Sequence, residues 1–457
     1  MKITMTEIVE RALTGKPCSE REFDIKLSKR ARELAKEYGV SSDPANPVPK
    51  DFGLANSVFK AGFQLFCELG AYCTSTNRII SFSEEEVRYA LKYTPAEVWF
   101  GEGIDKKALI PRKPEDKRPP WCFLGAGGAP VSSEQILSIL VENYAKIPQA
   151  NSITTPALTR VRGVRISPGT PLEILGAIEA VRIAREAMRR AGRPGLPIMN
   201  LVATATTDSS LIAALNSEYG ARPSDGVLVG ILAELKTNFA LLNKAFYAKS
   251  LGFRVAGELG PVYGGYAGGA EGTAIVTVAE HLMGLMVYQA DWYLAFPVHA
   301  IYTANSSREL LWVRNVSAQA ISLNTNLLSL YLSYIAAGPM TEMALYEIAA
   351  QISSVVVSGV SIEAVGVAKA RYEDRMTPVE PKFAAEVAHA STRLNLQDVN
   401  ELVRRLLPKY EDKLKNPPLG KKFQEICDIE TGRVSREYLE LLTKVKKELS
   451  DLGLPVE

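Results

Sequence analysis

Between Arg254 and Arg308 the chain has no lysine or arginine, yet it places carboxylates at Glu258, Glu271, Glu280 and Asp291. Glu258 ends a short apolar run, Phe253 to Glu258, and a turn at Gly260-Pro261 follows it. A carboxylate at a strand end can serve as a general acid or base or orient a cation; it can equally cap a helix or join a salt bridge. With Tyr263 and Tyr266 close in sequence and no fixed positive charge, the stretch suits a cationic or neutral substrate better than a phosphate or carboxylate. The plainer reading is that the interior of the fold avoids charge. His299, after Phe296-Pro297-Val298, stands at a second inferred strand end. It could donate or shuttle a proton there, or be a satisfied structural histidine.

The doubled glycines Gly264, Gly265, Gly268 and Gly269 precede a helical stretch, the placement of a phosphate cradle. The Gly-Lys-Ser/Thr of a P-loop is missing and no base is near in sequence. The loop is therefore read as one that lets another backbone or a bulky cofactor approach closely, or as plain turn geometry.

These residues need elements to position them. Residues 1–120 are charge-rich and read mostly as helices, with helical spacing from Glu20 to Tyr38 and a capping box at Ser83 to Glu86. After Pro120 the pattern alternates. WCFLGAGGAP is a strand broken at Gly125, Gly127 and Gly128, and Ser132 with Gln135 caps the helix behind it. Further strands are expected at Ser152 to Leu158, Leu196 to Ala203, Gly226 to Leu232, Phe253 to Glu258, Trp292 to Val298 and Leu327 to Tyr334. Helices are expected between most of them, one opened by Thr170-Pro171-Leu172-Glu173.

Serial strand and helix with near-continuous apolar strands is the pattern of a parallel sheet buried on both faces. Six to eight such units between about 121 and 370, and no GxGxxG after a strand, favour a (β/α)8 TIM barrel over a doubly wound sheet. The expected organisation is an N-terminal helical extension (1–120), the barrel (121–370) and C-terminal helices completing its exterior (371–457).

Composition narrows the function. At 457 residues, 47% hydrophobic and 23% charged, with a formal net charge of +2, the chain is an ordinary globular one without the basic bias of a nucleic-acid binder. No long uncharged apolar stretch and no signal-peptide pattern are seen, so a cytoplasmic protein without a membrane span is expected. Five cysteines without a CxxC pair and three histidines, His281, His299 and His389, give a metal little to bind.

Several stretches carry a resemblance: VFKAGFQLFCELGAYCTSTNRII (58–80), AGRPG (191–195), LAELK (232–236), VYGGYAGG (262–269), GPMTEM (338–343) and GKKFQEICDIET (420–431). Over nearly its whole length the chain resembles the corrinoid-dependent monomethylamine methyltransferases of methanogenic archaea, enzymes of methanogenesis. The resemblance implies a (β/α)8 barrel, a homo-oligomer, typically a hexamer, and a separate corrinoid protein that supplies the cobalamin-type cofactor. No cofactor is then held tightly by this chain, which would pass a methyl group from a small methylated compound to that partner's Co(I).

The family's defining pyrrolysine follows the AGRPG stretch; here the matching place is Met199, or Leu201 with the gap placed differently. Of the polar residues around it, the resemblance keeps one glutamate as Glu258 and a tyrosine as Tyr334, and puts Leu228 and Leu332 where a second glutamate and a glutamine stand. It thus implies Glu258 and Tyr334 as catalytic residues, to which His299 is added from its place at a strand end. Met199, Leu201, Leu228, Leu332, Tyr263 and Tyr266 would line the substrate pocket, and Gly264, Gly265, Gly268 and Gly269 would form the loop the corrinoid approaches.

An apolar, aromatic pocket with one carboxylate would favour a quaternary amine, whose nitrogen already carries full charge. Two other readings stand beside it. One is a true monomethylamine enzyme in which a pyrrolysine is written as another residue. The other is a non-catalytic barrel that binds a corrinoid protein or ligand as scaffold or sensor.

Overall fold

In the computed structural model, which describes residues 3–125, 127–203 and 206–456, eight short apolar segments build one parallel sheet. They are β1 (Cys122–Leu124), β2 (Ser152–Thr154), β3 (Ile198–Asn200), β4 (Gly226–Gly230), β5 (Arg254–Leu259), β6 (Trp292–Ala295), β7 (Ser329–Tyr334) and β8 (Ser361–Gly366). The strands follow one another around the sheet in chain order, and β8 pairs with β1. Between β3 and β4 the ladder is missing; there the Leu201 N–H donates to the Gly226 carbonyl at 3.2 Å and draws the seam together. The result is a nearly closed (β/α)8 barrel, as the alternation of strand and helix predicts.

Each strand is followed by a helix, from Glu134–Ala145 after β1 to Val379–Ser391 after β8. The last of these, Val379–Ser391, lies past residue 370. Strand β8 was not among the strands expected from the sequence. Its residues, SIEAVG, continue an apolar run out of the preceding helix and are buried throughout. The helix after β1 is capped by Ser133, whose hydroxyl accepts the Ile136 N–H. Ser132, expected in that role, instead gives its N–H and hydroxyl to the Asp374 carboxylate at 2.8 and 2.7 Å.

An outer layer covers one side of the barrel. Helix Phe52–Leu69 packs on Ala270–Val287 and Arg308–Asn324, and Leu396–Leu406 and Arg436–Asp451 pack on Glu342–Val357. The sequence anticipates this: TAIVTVAEHLMGLM is apolar on every face, and a helix apolar all round must be buried all round. Gly62 makes the close approach possible, because a Cβ there would meet the Val278 side chain at 2.6 Å. No helix among the described residues is long and apolar enough to cross a membrane.

The barrel interior is a dry plug. Phe123, Met199, Ala256, Trp292, Leu294, Leu330 and Leu332 form one buried apolar cluster. The rings of Phe123 and Trp292 meet edge to face at 6.0 Å. This plug is the floor on which the site rests.

Candidate active site at the carboxyl end of the barrel

Above the plug, at the carboxyl ends of the strands, lies a cavity of about 310 Å³. Strand β5 brings Glu258 to its wall, β8 brings Glu363, β4 brings Leu228 and β7 brings Leu332; Asn200 at the end of β3 and Val202 beyond it complete that side. The ladder sets the order: Gly230 stands opposite Glu258, and Leu332 opposite Glu363. Register partners in a parallel pair share a face, so the pairing turns each carboxylate inward beside a small or apolar neighbour.

Glu363 is 1% exposed, and neither carboxylate oxygen has a hydrogen-bond partner among the described residues. Gly127, in the loop after β1, covers it; a Cβ there would lie 2.3 Å from Glu363 Oε1. Burial pushes the Glu363 carboxyl well above the usual range, and the neighbouring charge of Glu258 adds to the shift. Glu258 is partly exposed, its free surface facing the cavity. Burial raises Glu258 to about 7, with Lys244 pulling the other way. Both shifts favour the protonated carboxyl, that of Glu363 the more strongly.

Lys244 is the counter-charge. It comes from helix Phe239–Ser250, lines the cavity, and donates to the Thr206 carbonyl at 2.8 Å. Burial depresses its pKa, while Asp208, Glu173 and Glu258 hold it up. The expected pocket without fixed positive charge is therefore corrected: Lys244 lies just before the base-free stretch from Arg254 to Arg308, and the helix after β4 brings it to the cavity. The expected aromatic wall is corrected as well. Among the described residues the remaining wall is aliphatic, with Val202, Leu211, Leu228, Leu241 and Leu332.

Glu173 fixes the loop that carries Val202 and ties down Lys244's partner. Expected as part of a helix cap, it does bond the Gly169 N–H at 2.7 Å. Its other contacts run to the loop after β3: the Thr206 N–H and hydroxyl at 2.7 and 2.6 Å, and the Thr207 N–H and hydroxyl at 3.1 and 2.9 Å. Burial works against its charge, but these bonds outweigh it and hold the carboxyl at about 2.

Of the residues singled out in the sequence, the fold brings Glu258, Leu228 and Leu332 together at the cavity. Tyr334 stands just outside it, close enough to feel Glu258: burial first, then that carboxylate, raises the phenol to about 12. Met199 does not line the cavity. It points into the plug beneath, fully buried, and Leu201 is buried in the layer between barrel and helices. The pairing of β3 with β2 shifts register between Ile198 and Asn200, and it is Asn200 and Val202 that line the open space.

His299 and Tyr263 are also apart from the cavity. They sit on a short parallel pair, Val262–Tyr263 with Val298–His299, beyond the strand ends. The Ile301 and Tyr302 N–H groups donate to His299 Nδ1 at 3.0 and 3.3 Å, and the ring stacks on Tyr302 at 4.0 Å. Nδ1 is thus an acceptor, and burial lowers the pKa, so the imidazole is neutral and held in place. Tyr266 is 48% exposed, with Lys236 Nζ 5.8 Å from its ring centroid.

The glycine loop closes on itself: the Gly264 N–H donates to the Gly268 carbonyl at 2.8 Å, and both residues take positive φ, 86° and 82°. Plain turn geometry accounts for Gly264 and Gly268. Gly265 and Gly269 have ordinary φ, and Gly269 opens helix Ala270–Val287.

Glu363 and Lys244 are the residues that sequence reasoning missed. The available signal was a single acid in an otherwise apolar run, GVSIEAVGVA, and a single base on the buried face of LLNKAFYA. Among the described residues no group of three or more His, Cys, Asp or Glu side chains is placed to hold a metal ion.

Comparison with known proteins gives a consistent result. The family model for Monomethylamine methyltransferase MtmB matches residues 3–454. A protein of that name from Methanosarcina mazei is 33% identical over 450 residues, covering 98% of this chain and 97% of its own. One from Methanosarcina acetivorans is 33% identical over 454 residues, with the same coverage. The crystal structure of the Methanosarcina barkeri monomethylamine methyltransferase superposes with a TM-score of 0.95 at 32% identity, covering 98% of both chains. A structure of its hydroxylamine complex matches equally well.

Proposed function

The chain belongs to the monomethylamine methyltransferase family and is a methyltransferase, and from that premise we propose that its methyl donor is a small N-methylated ammonium held between Glu258 and Glu363. The observation that carries this is Glu363: a buried carboxyl with neither oxygen partnered among the described residues, beside a second carboxyl, on a cavity wall. A charge buried without partners is expensive, and a ligand that supplies N–H donors and positive charge removes that cost.

The aliphatic wall refines the choice. A quaternary ammonium offers no N–H and is best held by aromatic faces, which this wall lacks among its described residues. A primary or secondary ammonium offers two or three N–H donors to two carboxylates. Leu228 and Leu332, where the family resemblance puts an acid and an amide, close the sides of the pocket against water. The pair of acids then does locally what those residues would have done, with Glu363 as the second carboxylate.

The chemistry of this chain is to bind, orient and keep the nitrogen protonated. Methyl transfer breaks the C–N bond, both of its electrons going to nitrogen, so an ammonium leaves as a neutral amine. The acceptor's cobalt supplies the pair for the new bond to carbon. We place that acceptor on a separate corrinoid protein approaching the strand ends, past the loop of Gly264 to Gly269 and the His299–Tyr302 stack. The homo-oligomer and a cytoplasmic setting belong to the same proposal and rest on family membership.

Calorimetric titration with methylammonium, dimethylammonium and tetramethylammonium tests the donor class. Methylammonium or dimethylammonium should bind, with affinity rising as pH passes through about 7, because the cation competes with the proton on Glu258. Preference for tetramethylammonium, unchanged in Glu363→Gln, would contradict the reading.

A further inference from the structure

The opposite end of the barrel holds a second cavity, of about 320 Å³, beneath the amino ends of β1, β2 and β8. Trp121 leads into β1, Pro148 to Asn151 lead into β2, and Ser361 opens β8. Lys107, Arg112, Arg118 and His389 line it, and no carboxylate is among the described lining residues.

Arg118 is already engaged, forked onto the Asp116 carboxylate. Arg112 is only 5% exposed. One end of its guanidinium donates to the Arg118 carbonyl and the other to the Asp116 carbonyl at 3.0 Å, while Nε has no partner among the described residues. Burial pushes the Arg112 guanidinium down to about 10, although Asp116 opposes the shift. Burial likewise lowers His389, and Arg112 and Lys107 push it further in the same direction. His389 thus feels both Arg112 and Lys107 across the cavity, and an anion bound there would offset their charge. The Gln149 and Asn151 amides add donors, and Trp121 and Ile110 supply an apolar side.

We propose that this cavity is a binding site for a small oxyanion of phosphate type, separate from the methyl-transfer site at the other end of the barrel. Single donors on Lys107, Gln149, Asn151 and His389 line the cavity while both arginine forks are engaged, which suits a tetrahedral oxyanion, accepting from several directions, better than a planar carboxylate, best met by a free arginine fork. The apolar side next to Trp121 leaves room for an organic body on the phosphate.

Calorimetry on the full chain in a low-salt, phosphate-free buffer, with inorganic phosphate and phenyl phosphate as probes, tests the site. At least one probe should bind saturably with Kd below about 1 mM. Lys107→Ala and His389→Gln should each weaken binding about tenfold or more, with far-UV circular dichroism unchanged, whereas Glu258→Gln should leave it intact. Tighter binding of phenyl phosphate would identify an organic phosphoester as the ligand, and equal or weaker binding the free ion. No saturable binding of either probe up to about 10 mM, or affinities unmoved by both substitutions, would overturn the proposal.

Discussion

Glu258 shows how a site can be stored as instability. Its carboxyl sits at about 7 in the fold, above the unfolded value, so the fold prefers the protonated form. The resulting penalty is absent below the unfolded pKa, grows as pH rises toward 7, and is constant above that. Glu258→Gln should therefore stabilise the protein at pH 8 by about 1–3 kcal/mol and have little effect near pH 4, as read from denaturant unfolding at the two pH values. A loss of stability at pH 8 would mean that the carboxylate has a structural partner. Glu258 was legible in the sequence because a turn and a glycine loop follow it and announce a strand end. Glu363 was not: nothing punctuates the apolar run around it, and its meaning comes only from Glu258 across the barrel and Gly127 above. Lys244 was hidden for the same reason, since its partner is a carbonyl in a different loop.

At the scale of elements, the site depends on two loops. The loop after β1 passes directly over Glu363 at Gly127, which has no side chain to press on the carboxylate. Gly127→Ala would put a methyl group 2.3 Å from Glu363 Oε1, so the carboxylate must move. We expect ammonium affinity to fall at least about tenfold, with circular dichroism unchanged and the melting temperature within a few degrees. The loop after β3 is tied to helix Pro171–Arg190 by Glu173, whose carboxylate accepts five bonds from Gly169, Thr206 and Thr207. Because its folded pKa is depressed to about 2, its stabilisation is full above the unfolded pKa and is lost as pH falls toward 2. Glu173→Gln should cost about 1–3 kcal/mol at pH 7 in chemical unfolding, a loss that narrows below pH 4. Helical spacing from Glu20 to Tyr38 located the helix Glu20–Glu37 to within a residue. It could not see that Glu173 serves a loop some thirty residues away as well as its own helix end, because a capping pattern carries no tertiary information.

Over the whole molecule the barrel separates two chemistries. Its carboxyl end gathers acids in an aliphatic pocket, its amino end gathers bases around Trp121, and the plug of Phe123, Met199 and Trp292 lies between. The barrel itself was legible from the alternation of strand and helix, because parallel strands buried on both faces leave long apolar runs. The seam between β3 and β4 was not, since it is set by closure, a property of the assembled sheet. Met199 illustrates the difference: its place in the sequence points to the site, while the pleat of the strand turns it into the plug.

The most direct test is methyl transfer itself, followed by absorbance with a reduced corrinoid on a carrier protein and a panel of methylammonium, dimethylammonium, choline and tetramethylammonium. The account predicts turnover with an N–H-bearing donor, reduced at least about a hundredfold in both Glu258→Gln and Glu363→Gln. Turnover confined to the quaternary donors, or full activity in Glu363→Gln, would contradict it.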